Sequence, residues 1–257
     1  MSEREEDGLA GLRARISHLE RSISRPGSTS DALPFGVDPI DQALPGGGLK
    51  RAALHEFVPG GSELPHAAAC TLFVAGILAR LDGPVLWCMP SRAPFPPALA
   101  RVGLRPDRVV YAEPFREAAL LPIIEEGAHF SGLAGVVGDV GRIGLTESRR
   151  LQLASEASGV TVLLLRRIGR KQAESVLPNA AATRWRVSAH PSTSLSSIGF
   201  GRPLWRVELE RCRGAQAGTP ACSWLVQGCD EAGRLALPAD LADRPHPQAR
   251  PHRAAAG

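Results

Sequence analysis

Residues 60–67, Gly60-Gly61-Ser62-Glu63-Leu64-Pro65-His66-Ala67, come nearest to a recognisable chemistry in this sequence. A phosphate-binding loop reads G-x-x-x-x-G-K-[S/T]. Its backbone amides wrap the phosphates, its lysine meets the outer ones, and its hydroxyl holds Mg²⁺. Counted from Gly60, Pro65 stands at the second glycine, His66 at the lysine and Ala67 at the hydroxyl. Moving the register by one does not help, because the chain has only two lysines, Lys50 and Lys171. Proline at 65 also removes an amide that a phosphate would need. The layout is that of an NTPase loop without its chemistry, so no nucleotide cofactor and no hydrolysis are expected.

Other reactive constellations are missing from the sequence. The apolar run Leu133–Asp139 ends in an acid, where an NTPase would place a carboxylate that holds Mg²⁺ through water. With no lysine or hydroxyl to work beside it, Asp139 reads as a structural cap or an interface carboxylate. No G-x-S-x-G, H-E-x-x-H or G-x-G-x-x-G occurs in a fitting context, and the His55-Glu56 pair sits inside a buried apolar run. The five cysteines form no C-x-x-C pair or short Cys/His cluster, which predicts a reducing compartment and no zinc. The chain is expected not to be an enzyme.

The elements around the loop follow from apolar periodicity. Runs at Ala52–Val58, Val85–Cys88, Val109–Ala112, Leu133–Asp139 and Val160–Leu165 alternate with helical stretches at Pro65–Arg80, Leu99–Val102, Arg116–Gly127 and Thr146–Ala157. That rhythm predicts an α/β fold with a mainly parallel sheet flanked by helices. Pro122 should kink or shorten its helix. From Thr183 the period changes to two, with strands expected at Arg184–Ala189, Leu204–Glu210, Ser223–Gln227 and Arg234–Leu237. Turn residues separate them, so antiparallel hairpins should close the sheet. Trp185, Trp205 and Trp224, one per strand, are expected to pack on a half-buried face.

Outside this core, Leu9, Leu12, Ile16, Leu19 and Ile23 form a narrow apolar seam on a helix within residues 1–24. That helix folds back on its own core or docks on a second subunit or partner. Residues 25–32 read as a linker and residues 242–257 as a disordered tail. Arg166, Arg167, Arg170 and Lys171 put four cations in six residues. They are a solvated turn or a DNA phosphate contact, and no aromatic stands in that loop to stack bases. A net charge of +4, 44% hydrophobic content, an acidic N-terminus and no long apolar run fit a globular, cytoplasmic protein with no membrane contact.

The run Ile40-Asp41-Gln42-Ala43-Leu44-Pro45-Gly46-Gly47-Gly48-Leu49-Lys50-Arg51, followed by Leu54-His55-Glu56-Phe57, resembles the opening of RecA-type recombinase cores. Within that superfamily it is most similar to the ImuA family, the RecA-like accessory proteins of bacterial mutagenesis cassettes, which also lack a good phosphate loop. The resemblance runs from about residue 33 to 241 and implies a RecA-like core over that span. In the RecA pattern a glutamate near the end of the Val85 strand activates water, and Leu86-Trp87-Cys88-Met89-Pro90 has no carboxylate there. Arg211 and Arg213 occupy places similar to RecA lysines that reach ATP in the next subunit; here they are expected to meet a partner's carboxylates.

The resemblance implies an adaptor in DNA-damage-induced mutagenesis. Its partners would be an ImuB-like protein, an error-prone DnaE-type polymerase and RecA, with weak DNA contact and a homo-oligomer as further expectations. An unorthodox DNA-associated NTPase and a SulA-like inhibitor of cell division are the alternatives.

Overall fold

The computed structural model describes residues 31–90, 94–167, 178–191, 201–214 and 222–238. The chain enters through a two-stranded antiparallel ribbon, β1 (Ala32–Leu33) with β2 (Leu49–Lys50), which encloses the short helix α1 (Asp38–Asp41). Both Asp41 carboxylate oxygens accept backbone amides, from Phe35 at 2.6 Å and Gly36 at 2.9 Å. Positive φ at Gly46 (79°) and Gly47 (75°) turns the chain back, a conformation that side chains with a Cβ resist. Gly48 is needed for a different reason: a Cβ there would lie 2.6 Å from the Leu33 backbone.

The core alternates strand and helix: β3 (Leu54–Pro59), α2 (Leu64–Ala79), β4 (Val85–Cys88), α3 (Pro96–Ala100), β5 (Val109–Ala112), α4 (Leu120–His129), β6 (Gly135–Val140), α5 (Leu145–Ser158) and β7 (Thr161–Arg166). Three strands follow: β8 (Thr183–His190), β9 (Leu204–Cys212) and β10 (Cys222–Gln227). They build one sheet in the order β10-β9-β8-β3-β7-β6-β4-β5. Every pairing from β8 to β5 is parallel; β9 and β10 are antiparallel. The expected α/β class, with a mainly parallel sheet and antiparallel closing strands, is the architecture found.

Strand alternation sorts the side chains onto two faces. On one, Phe57, Trp87, Val137, Leu163, Trp185 and Val187 pack under α2 and α3. There Phe73 of α2 stacks on Phe35, with ring centroids 5.7 Å apart, and meets Trp185 and Trp205. Trp224, half-buried, lies against Trp185, so the three tryptophans pack as their spacing predicts. On the other face Leu54, Cys88, Val136, Val162 and Leu164 are covered by Leu120, Ile124, Leu151 and Ala154 of α4 and α5.

Two local expectations are revised, and the choice left open at Pro122 is settled. β8 joins the sheet by pairing parallel to β3 before β9 turns back on it. The run Arg234–Leu237 makes a single bridge, Gln227 with Ala236, rather than a strand. Pro122 falls in the first turn of α4, behind a 3₁₀ turn at Glu117–Ala119; a proline is tolerated there, so the α-helix starts late instead of kinking. Among the described residues no helix is long and apolar enough to cross a membrane. The seam Leu9, Leu12, Ile16, Leu19 and Ile23, the cations Arg170 and Lys171, and the tail lie outside the described residues.

Candidate functional site

β3 lies centrally, between β8 and β7, and its carboxyl end runs through Gly60, Gly61, Ser62 and Glu63 into α2. Pro65 sits in the first helical turn, where its missing N–H leaves no intrahelical bond unmade. The loop is tied to β8. Gly60 N–H donates to the Val187 carbonyl at 2.8 Å, and a Cβ on Gly60 would lie 1.7 Å from Ser188 Oγ. His66, at the position of a phosphate-binding lysine, accepts the Ala189 amide on Nδ1 at 3.1 Å. Its Nε2 is 3.9 Å from the Glu63 carboxylate. His66 therefore pins the head of α2 to β8.

Gly61, Ser62, Ala67, Thr71, Asp139, Arg166 and Arg167 line one cavity of about 180 Å³ at this loop. Sites for small organic ligands are larger, roughly 300–1,000 Å³. Arg167, just past β7, fills the acidic side of the cavity: its guanidinium bonds Glu117, and its Nε is 3.2 Å from Asp139 Oδ1. Both of those last two atoms are buried and neither makes a hydrogen bond among the described residues, so the contact is coulombic rather than directed. Burial pushes the Asp139 carboxyl above its ordinary range and Glu117 adds to this, while Arg167 pulls it down. Among the described residues no group of three or more His, Cys, Asp or Glu is placed to hold a metal.

Behind the cavity lies a second polar cluster. Glu56 is fully buried on β3 and accepts from Arg166 at 3.0 Å, Asn179 at 2.7 Å and Arg184 at 2.6 Å. Arg211 extends the cluster through the Asn179 carbonyl (2.8 Å), its Oδ1 (2.6 Å) and the Ala181 carbonyl (3.0 Å). Arg213 bonds the Ala180 carbonyl at 2.7 Å. Burial lowers the pKa of Arg166 and of Arg211, with neighbouring Arg184 adding to both. Arg166, Arg167, Arg211 and Arg213 therefore each hold bonds within the chain, and they fall into two groups rather than one patch.

Two relatives resemble the chain over most of its length. Protein ImuA of Caulobacter vibrioides strain NA1000 / CB15N is 37% identical over 211 residues, which span 78% of this chain and 84% of the relative. Protein ImuA of strain ATCC 19089 / CIP 103742 / CB 15 matches with the same identity and coverage. The chain belongs to the ImuA family. No family model matches it.

Sequence reasoning missed two features of this ImuA-family chain. One is the Glu56 cluster; parity along β3 was the available signal, because Glu56 shares a face with Leu54, which is covered by helices, and a buried carboxylate needs partners. The other is a relay at His55, also fully buried. Its Nε2 is 2.7 Å from the Lys50 carbonyl, which can only accept, so Nε2 carries the proton. Nδ1 then accepts the Thr183 hydroxyl at 2.7 Å, and that oxygen accepts the Trp185 indole N–H at 2.7 Å. Burial pushes the His55 pKa down to about 4.

Proposed function

We propose that the chain is a non-catalytic adaptor with a RecA-like core, acting in DNA-damage-induced mutagenesis and translesion synthesis. In this reading it joins an ImuB-like protein and an error-prone DnaE-type polymerase at damaged DNA, with RecA as a further partner. Membership of the ImuA family, at 37% identity over 211 residues, is the observation that carries the mutagenesis context.

The non-catalytic part is supported by the chemistry at the head of α2. The loop offers proline, histidine and alanine where a phosphate loop needs glycine, lysine and a hydroxyl. Arg167 holds Asp139, the carboxylate nearest the position of a metal ligand, and would have to leave it before a divalent cation could approach. A RecA-like descent is supported by the glycine loop between a central parallel strand and α2, with an acid at the end of β6 two strands away.

The test is genetic and biochemical together. Tagged protein recovered from cells after DNA damage should bring down the ImuB-like protein and the polymerase, and deletion of the chain should lower damage-induced mutation. An unchanged mutation frequency on deletion would contradict the reading.

A further inference from the structure

Among the described residues, helices cover the sheet face that carries Glu56 only as far as β3. α4 packs on β4 and β6, and α5 on β3 and β7. Across β8, β9 and β10 the same face is open among the described residues. Arg186 pairs in register with Glu208 and that residue with Ser223; Ser188 pairs with Arg206 and that residue with Leu225. All six are half-buried or exposed, with Arg206, Ser223 and Leu225 exposed.

The charges on this face do not balance. Arg186 has Glu210 as its ion partner, and Glu56 serves Arg166 and Arg184. Among the described residues, Arg211 and Arg213 bond uncharged groups, the carbonyls of Asn179, Ala180 and Ala181 and the Asn179 amide oxygen, and Glu208 offsets one of the charges on β9 without an ion pair of its own among these residues. Arg211 also keeps a buried Nε without a hydrogen bond. Carbonyl bonds fix these guanidiniums in place, and the one carboxylate felt by Arg211, Glu56, is already shared with Arg166 and Arg184, so a carboxylate from outside would complete the balance.

We propose that this open face is the docking surface for an acidic segment of a partner protein, whose carboxylates meet Arg206, Arg211 and Arg213 and whose apolar side chains lie on Leu225. The inference rests on reading the chain as an adaptor. Two observations favour carboxylates over nucleic acid. Glu208 and Glu210 interrupt the arginines of β9 and would repel phosphates that recur along a continuous backbone, whereas acidic side chains can be spaced to avoid them. Base stacking needs aromatic rings, and Trp185, Trp205 and Trp224 all pack on the opposite face.

The experiment uses the full chain with two labelled probes at equal ionic strength, a peptide of about ten residues whose glutamates are spaced by serine and leucine, and an oligothymidylate of about ten nucleotides. The peptide should bind, and Arg206→Glu should weaken it about tenfold or more. Arg149→Glu, the same charge change on the exposed surface of α5, should alter it less than about twofold. Ser223→Glu, an exposed site on the neighbouring strand, repeats the test should Arg206→Glu lower the unfolding temperature. No peptide binding, or equal losses from Arg206→Glu and Arg149→Glu, would overturn the proposal. Tighter binding of the oligothymidylate, lost in Arg206→Glu, would overturn it in favour of a nucleic-acid surface. Binding of Mg-ATP would remove the adaptor reading without bearing on this face, so the two failures are distinguishable.

Discussion

Replacing Glu56 by Gln keeps the shape of the side chain and removes its charge, which isolates what the buried carboxylate does. Glu56 is fully buried, and the side chains of Arg166 and Arg184 that it holds are only 10% and 11% exposed. In Glu56→Gln one of the two acceptor oxygens becomes an NH₂ group aimed at guanidinium or Asn179 donors, and two nearly buried cations lose their counter-charge. Removing one member of a buried ion pair costs about 3–5 kcal/mol. For a domain of this size each kcal/mol lowers Tm by about 2–4 °C, so the variant should melt roughly 6–20 °C below the wild type. Differential scanning calorimetry measures this directly. The triple variant Glu56→Leu/Arg166→Leu/Arg184→Leu, which removes all the charges at once, should recover most of the loss. A fall of less than about 2 °C in Glu56→Gln would refute the reasoning, because it would mean that water reaches the arginines.

Stability should also fall in acid through His55, whose folded pKa is about 4 against 6.5 unfolded. Between those values the unfolded chain binds a proton that the folded chain refuses, so stability is constant above about pH 6.5 and drops by about 3 kcal/mol towards pH 4. Urea unfolding across that range should show the slope, and His55→Gln should lack it. Gly48→Ala should destabilise by about 1–3 kcal/mol, since its Cβ would meet backbone that no rotamer change can move; an unchanged urea midpoint would count against the turn as described. Of the five cysteines, Cys70, Cys88 and Cys229 are buried, and burial pushes the Cys88 thiol up to about 12. A thiol reagent should therefore label only Cys212 and Cys222 quickly in the native protein, and all five after denaturation.

Local patterns carried most of the fold. Apolar runs separated by helical periods located β3 to β7, and the change of period at Thr183 located β8, β9 and β10. The strand order was not legible, because β3 lies between β7 and β8 through pairings more than a hundred residues apart in sequence, and those depend on which faces fit rather than on any one stretch. At the candidate site the failing positions Pro65, His66 and Ala67 were plain from type alone. Their neighbours were not. Arg166 and Arg167 look like equal members of a basic run, yet strand alternation sends Arg166 to Glu56 and its successor to Asp139 and Glu117. Arg211 and Arg213 looked like surface cations, and their carbonyl bonds to Asn179, Ala180 and Ala181 appear only once β9 is laid beside β8. That placement also makes Arg211 a poor site for a charge-reversal test of binding, whereas Arg206 is exposed.

As a proposed adaptor, this ImuA-family chain would work by contact and not by nucleotide chemistry. Isothermal titration calorimetry of the full chain with millimolar Mg-ATP, followed by a phosphate-release assay on the same sample, tests it most directly. No saturable heat and no phosphate release are expected, because His66 and Ala67 stand where the lysine and the metal-binding hydroxyl are needed and Arg167 holds Asp139. Binding at micromolar affinity, or release of phosphate above the uncatalysed rate, would contradict it.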